Sequence, residues 1–278
     1  MDKIINGKEI SLKIRNELKV KVESFNHRPS LVVIQVGTDP SSTIYVNNKA
    51  KACQEVGISF KHLLLEETIE EKELINYINK LNNDINIDGV LVQLPLPKHL
   101  NEDKIINSII PSKDVDGLTN VNLGKLISNK ADLVSCTPLG ILELLNEYHV
   151  SLTGKHVVII GRSRLVGRPL SILLLNQDAT VTVCHSKTPD ISLYTKQADI
   201  LIVAVGKRAL ITAEMVKEGS IIIDVGINVV GGKLYGDVDY DHVIAKASLI
   251  TPVPGGVGPM TVAMLLSNVI KSYEKKMN

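Results

Sequence analysis

Aliphatic runs of strand length alternate with amphipathic stretches along most of this chain. The first half predicts a strand over residues 31–36, a helix over 41–56 ending near Gly57, and a strand over 60–65. An amphipathic helix follows over 71–81, then a buried strand over 89–94 that Pro95 and Pro97 stop. The second half repeats the rhythm, with strands over 156–160, 180–184, 200–205 and 221–225 and helices between them. Pro169 suits a first helical turn, where a missing N–H costs little. Strand and helix signals in alternation predict βαβ units around parallel sheets. The periodicity weakens over 120–136, so a first domain is expected over 1–135 and a second over 136–259, the latter entered by a helix over 140–149. The last segment, 260–278, reads as one long helix with lysines in its final turns, which suit a helix C-terminus; it is expected to return to the first domain.

A length of 278 residues is comfortable for two domains, and 44% hydrophobic with 22% charged residues fits an ordinary globular chain. With no Trp and only two Phe, the core must be aliphatic, as buried parallel strands require. Lys and Arg total 31 against 30 Asp and Glu, so no basic field points to nucleic acid. The apolar runs are too short to span a bilayer, and the start of the chain lacks a signal-like stretch. The three cysteines, Cys53, Cys136 and Cys184, show no C-x-x-C spacing. That argues against a zinc site or disulfide framework and fits a reducing cytoplasm; the histidines show no metal-ligand spacing.

Residues 155–167 read KHVVIIGRSRLVG, a buried strand running into a glycine turn and a helix opening near Gly167. Such a junction presents backbone N–H groups to a pyrophosphate. Its G-x-S-x-x-x-G spacing departs from G-x-G-x-x-G, and a turn needing glycine for geometry alone is the competing explanation. The next strand ends Cys184-His185-Ser186-Lys187-Thr188, without the acid that grips a ribose 2′-OH. Arg162, Ser186 and Lys187 can instead meet a 2′-phosphate, which favours NADP over NAD. Lys187 and Arg164 taken singly read as ordinary surface charges.

Four further segments carry candidate chemistry. Tyr45 and Lys49 share one helix face at i, i+4, where a lysine of lowered pKa could move protons; a surface lysine over a core tyrosine is the plainer alternative. Gln93 ends an apolar strand just before two prolines, and the carboxyl ends of parallel strands face the ligand crevice. In KDVDG, Asp114 and Asp116 lie in a turn, where one could close the turn and the other bind a ring system's N–H groups. TPVPGGVGPMT, residues 251–261, forms a rigid close-approach loop or an interdomain turn.

Taken in order over residues 45–261, the segments YVNNKAKACQEVGI, VQLPLP, KDVDGL, CTPLGILELL, GRSRLVGRP, CHSKT, DVGIN, GDVD and TPVPGGVGPMT resemble the bifunctional methylenetetrahydrofolate dehydrogenase/cyclohydrolase family. The resemblance implies two α/β domains flanking a cleft, the second a Rossmann-type dinucleotide-binding domain, in a cytoplasmic homodimer. It implies NADP-dependent oxidation of 5,10-methylene-tetrahydrofolate, then hydrolysis of the methenyl product to 10-formyl-tetrahydrofolate. Lys49 matches the catalytic lysine, Tyr45 the residue that stacks on the folate, Gln93 the partner of the lysine and Asp116 the carboxylate that grips the pterin. Val92 and Leu94, with Pro254, Gly255, Gly256, Val257 and Gly258, match substrate-lining positions. Gly161, Arg162, Ser163, Ser186 and Ile227 match positions that contact the dinucleotide. The tetrahydrofolate one-carbon derivatives are the expected partners, with no nucleic acid, membrane or metal. An NADP-dependent dehydrogenase lacking the hydrolase step is the alternative, and Lys49 with Gln93 argues against it.

Overall fold

A computed structural model describes residues 3–277; residues 1, 2 and 278, at the outer ends of the expected first domain and last helix, lie outside the described residues. The chain divides into two compact units. One comprises Leu12–Cys136 with the chain from Val262 onward, and the other the chain up to Ser11 with Thr137–Thr261. Helix α1, Gly7–Glu23, had no counterpart in the sequence reading, because GKEISLKIRNELKVKVE is polar over most of its length.

The first unit is built on a parallel sheet of β1 (Ser30–Val36), β2 (Ser59–Leu65) and β3 (Gly89–Val92), ordered β2-β1-β3. The central strand SLVVIQV is buried at every residue, which explains its unbroken apolar run. Edge strand β2 instead alternates exposed and half-buried residues. Helix α2 (Pro40–Val56) starts where the Asp39 carboxylate accepts from the Ser42 N–H at 2.7 Å and ends at Gly57. Helix α3 (Glu71–Asn83) turns Leu74 and Ile78, spaced i, i+4, into a cluster with Val32, Ile34, Val90 and Val92. Short helices α4 (Glu102–Ile106) and α5 (Asn120–Ile127) follow. The Thr119 hydroxyl caps α5, and the weak periodicity over 120–136 had concealed that helix.

In the second unit, α6 (Cys136–Glu147) leads into β4 (His156–Ile160), α7 (Gly167–Leu175) and β5 (Thr180–Cys184). Then come α8 (Ser192–Thr195), β6 (Ile200–Val203), β7 (Ile221–Asp224), hairpin strands β8 (Asn228–Val230) and β9 (Lys233–Tyr235), α9 (Tyr240–Val243) and β10 (Leu249–Ile250). Five of these strands form a parallel sheet ordered β10-β7-β6-β4-β5, with β4 paired to both β5 and β6. The order reverses about β4, as in nucleotide-binding doubly wound sheets. The expected parallel α/β class with a Rossmann-type unit is therefore the observed one. Three strands end earlier than expected, at Val92 in the first unit and at Val203 and Asp224 in this one, and the antiparallel hairpin was not anticipated. Helix α10, Val257–Met277, begins three residues before its expected start. From its C-terminal part Ser272 donates to the Asp88 and Ser112 carbonyls, and Lys276 pairs with buried Asp88, all within the first unit.

Candidate functional site

Strand alternation places the first set of candidates. Val32, Ile34, Val90 and Val92 turn to α3, so Gln35 and Gln93 point to the opposite face. Register pairs Ile34 with Val92, and the Gln93 N–H continues the ladder by donating to the Ile34 carbonyl at 2.8 Å. On that face Gln35 Nε2 donates to Thr43 of α2 at 3.1 Å, and Lys49 Nζ of α2 donates to Gln93 Oε1 at 2.8 Å. Gln93 Nε2 donates in turn to the Leu94 carbonyl at 2.7 Å. A carbonyl only accepts, so it takes the NH2 end and leaves the amide oxygen facing the lysine.

The turn after α4 brings a carboxylate to the same amine. In KDVDG the residues divide sharply. Lys113 Nζ donates to the carbonyls of Leu81, Asn82 and Asp84, closing the C-terminal end of α3. Asp114 is buried and accepts from the Leu118 and Thr119 N–H groups and from Asn122 Nδ2. Asp116 remains, half-buried and electrostatically coupled to Lys49. Burial pushes the Lys49 amine below the ordinary lysine value, and Asp116 opposes that push. Burial likewise raises the Asp116 carboxyl, against the pull of Lys49.

Two residues outside the expected set fasten the turn that carries this carboxylate. The Cys136 thiol donates to the Val115 carbonyl at 3.5 Å, and burial holds it well above the usual range, so it remains a neutral donor. Buried Asn268 of α10 donates to the Val115 carbonyl at 2.8 Å and the Val134 carbonyl at 2.9 Å, fastening the turn from the other side. An amide inside the apolar run LLSNVI was the available signal for Asn268. Cys53 is also buried, and burial pushes its thiol up to about 12, which leaves it unreactive.

Other expected substrate positions differ in access. Tyr45 is 45% exposed one turn before Lys49. Leu94 is half-buried and forms a cis bond to Pro95. The Val92 side chain lies in the core cluster that faces α3. Pro254, Gly255, Gly256, Val257 and Gly258 belong to the second unit, where Gly256 and Val257 are buried and Pro254 and Gly258 exposed.

The nucleotide candidates gather at the carboxyl ends of β4, β5 and β7 in the second unit. Gly161 has φ 123°, and a Cβ there would lie 2.4 Å from the Ala204 carbonyl oxygen, so the tight approach admits glycine alone. Ser163 closes the turn, its hydroxyl accepting from the Val166 N–H at 3.1 Å and its carbonyl from the Arg168 N–H at 3.0 Å. Arg162 and Ser163 are exposed beside the start of α7, as are Ser186 and Lys187 beyond β5. Ile227, just past β7, is 47% exposed. A glycine turn at a helix start, flanked by cations and lacking an acid after β5, fits the phosphates of NADP. Among the described residues no group of three or more His, Cys, Asp or Glu could hold a metal, and no helix is long and apolar enough to cross a membrane.

Fold and site together define a two-unit nucleotide-dependent enzyme, with a dinucleotide cradle in one unit and a half-buried amine–carboxylate pair in the other. The comparisons with known proteins make the class specific. Residues 5–116 match the catalytic domain of tetrahydrofolate dehydrogenase/cyclohydrolase, and residues 135–277 match its NAD(P)-binding domain. The bifunctional protein FolD of Acetivibrio thermocellus is 53% identical over 274 residues, covering 97% of this chain and 96% of that protein. The crystal structure of bifunctional FolD from Campylobacter jejuni superposes with a TM-score of 0.96 at 52% identity, covering 98% of each chain. The Trypanosoma brucei enzyme, solved with NADP and an inhibitor, gives a TM-score of 0.94 at 36% identity over 99% of this chain and 98% of its own. The chain belongs to the tetrahydrofolate dehydrogenase/cyclohydrolase family.

Proposed function

We infer that the protein oxidises 5,10-methylene-tetrahydrofolate to the methenyl form with NADP and then hydrolyses that product to 10-formyl-tetrahydrofolate. The observation that carries the reading is the Lys49–Gln93 pair at 2.8 Å with Asp116 coupled to the same amine.

The two steps ask different things of the chain. The reacting carbon sits between two nitrogens, so losing a hydride leaves an amidinium that both lone pairs stabilise. No protein base is needed, and the requirement is positioning. NADP supplies the hydride acceptor when bound. Gly161, Arg162, Ser163, Ser186 and Ile227 are the residues that would hold it. Arg162 and Ser186 serve the 2′-phosphate, which favours NADP over NAD.

Hydrolysis does need proton transfer. Water adds to the amidinium carbon as a C–O bond forms, and Lys49 as the free amine takes the water's proton. The added hydroxyl then loses its remaining proton to solvent as the formyl C=O forms, the C–N bond breaks, and the Lys49 ammonium returns its proton to the departing nitrogen. Gln93 orients the amine, Tyr45 stacks on the folate, and Asp116 grips the pterin N–H groups. Val92 and Leu94 line the substrate's position in the first unit. The amine–amide–carboxylate set favours this reading over a dehydrogenase without hydrolase activity.

Three buried free cysteines support a reducing cytoplasm as the site of action. The apolar hairpin residues Val229, Val230 and Leu234, all exposed, support self-association as a homodimer. The test is direct: purified protein is mixed with methylene-tetrahydrofolate and NADP, and the methenyl absorbance is followed. The expected trace rises and then decays. A rise without decay would leave the dehydrogenase alone, and no rise would refute the reading.

A further inference from the structure

The segments DVGIN and GDVD hold two buried aspartates that the chemistry above leaves without a role. Asp224 is the last residue of β7. Its Oδ1 accepts from the Gly226 N–H at 3.0 Å and the Asp237 N–H at 2.9 Å, and its Oδ2 from the Val238 N–H at 2.9 Å. Asp237, fully buried, continues the chain of contacts. Its Oδ2 accepts from the Val205 N–H at 2.7 Å and the Gly206 N–H at 2.9 Å. Its Oδ1 accepts from the Lys207 N–H at 2.7 Å and Asn228 Nδ2 at 3.0 Å.

Two glycines make room for this arrangement. A Cβ on Gly226 would lie 2.2 Å from the Asp237 carboxyl, and one on Gly236 would lie 1.9 Å from Asp224 Oδ2. The backbone is shaped to seat both carboxylates. Three successive N–H groups form a concavity that usually attracts an external anion. Here Asp237 fills it from within, so the segment 205–207 serves as a fixed wall.

That wall stands at the carboxyl end of β6, and the residues it is tied to stand at the carboxyl end of β7, where open parallel sheets bind ligands. Each loop carries one large exposed aliphatic side chain, Val205 at 41% and Ile227 at 47%. Two aliphatic faces on loops tied to one carboxylate suit the faces of a flat ring, whereas the phosphates have their own place at Gly161.

We propose that Asp237 is a positioning residue for the nicotinamide half of the dinucleotide, holding the Val205 and Ile227 loops as the two sides of the ring's slot. Asp224 holds Asp237 in turn. The proposal rests on the NADP reading, and the two can fail separately.

The test compares two probes by equilibrium binding to the full-length protein: NADP, and adenosine 2′,5′-bisphosphate, which lacks the nicotinamide. Asp237→Asn should weaken NADP by about tenfold or more while adenosine 2′,5′-bisphosphate changes by less than about twofold. A loss of packing throughout the unit would weaken both. Because Asp237→Asn leaves buried N–H groups facing an amide and can fail to fold, Val205→Ala provides a second arm on an exposed side chain. It should weaken NADP several-fold and spare the fragment. Equal losses for both probes, or no loss for NADP in Val205→Ala, would overturn the proposal. Wild-type protein that binds neither probe would overturn the NADP reading and this proposal with it.

Discussion

Replacing Gln93 separates a positioning role from an electrostatic one. Its amide oxygen accepts from Lys49 Nζ at 2.8 Å and is turned there because Gln93 Nε2 is committed to the Leu94 carbonyl. An acceptor at that distance favours the ammonium over the free amine. A hydrogen bond to a charged group contributes about 1.5–3 kcal/mol. Gln93→Leu removes that support while burial continues to disfavour the charge. The amine then stays free at lower pH, so the acid limb of methenyl-tetrahydrofolate hydrolysis moves to lower pH by about one to two pH units. Gln93→Glu puts an anion at the same place and moves the limb upward. In both variants the plateau also falls, because the amine loses its fixed direction. The assay is the loss of methenyl absorbance without NADP, followed from acid to alkaline pH, with the nonenzymatic rate subtracted. Limbs that stay in place in both variants, or move the same way in both, would refute the reasoning even if the plateau dropped.

Lys49→Met should lower hydrolysis by about a hundredfold to ten-thousandfold, the usual contribution of a general acid–base, and keep a measurable share of hydride transfer; wild-type hydrolysis would remove Lys49 from the mechanism. Asp116→Asn should weaken folate binding by about 1.5–3 kcal/mol, the worth of a charge-assisted hydrogen bond, as read by titration with a folate analogue; an unchanged affinity contradicts its assignment. Arg162→Ala should weaken NADP far more than NAD, and equal losses count against a 2′-phosphate contact. Burial, opposed by three backbone N–H groups, pushes the Asp224 carboxyl up to about 6 from 3.8. A raised acid costs nothing below its unfolded value, and the cost grows as pH rises from that value to the folded one and then levels off, so ionised Asp224 lowers stability by about 3 kcal/mol at neutral pH. Urea unfolding should therefore show a smaller loss from pH 4 to pH 7 in Asp224→Asn than in wild type, and parallel curves would disprove the sign.

The elements legible in the sequence were those whose burial is one-sided or complete. Residues 31–36 read as a strand because both faces are covered, and 156–160 and 180–184 were read to the residue. Helix α1 was missed because its buried positions, Ile10, Ile14 and Val22, are thinly spread among charges. The hairpin of β8 and β9 had a signal in Gly231-Gly232 between Val229-Val230 and Leu234-Tyr235, but its strands are three residues each. Of the site residues that act through their own side-chain chemistry, Gln93 stood out as a polar group ending an apolar strand, and Lys49 by its i, i+4 spacing from Tyr45. Asp224, Asp237 and Asn268 did not, because they grip backbone atoms of segments distant in the chain, from 13 residues for Asp224 and Asp237 to 153 for Asn268 and Val115. No pattern in the letters announces a partner that is a carbonyl or an N–H.

The surroundings of Lys49 explain why one amine can serve both halves of a hydrolysis. A lysine in water is almost wholly charged at neutral pH and has no lone pair with which to take a proton. A lysine buried alone would be neutral and slow to hold the proton it must return. Burial and Asp116 act on this amine in opposite directions, with burial the larger. Asp116 is subject to the same opposition, burial again prevailing over the lysine's attraction. Asp116 supports the ammonium, so its proposed role of gripping the pterin would link substrate binding to the proton state of the lysine. Folate that takes the carboxylate's hydrogen bonds draws some of its charge away from Lys49 and favours the free amine when the methenyl carbon is in place to be attacked. The same linkage requires that Asp116→Asn free the amine at lower pH as well as weaken binding. A side chain that merely anchored the pterin would do the second without the first.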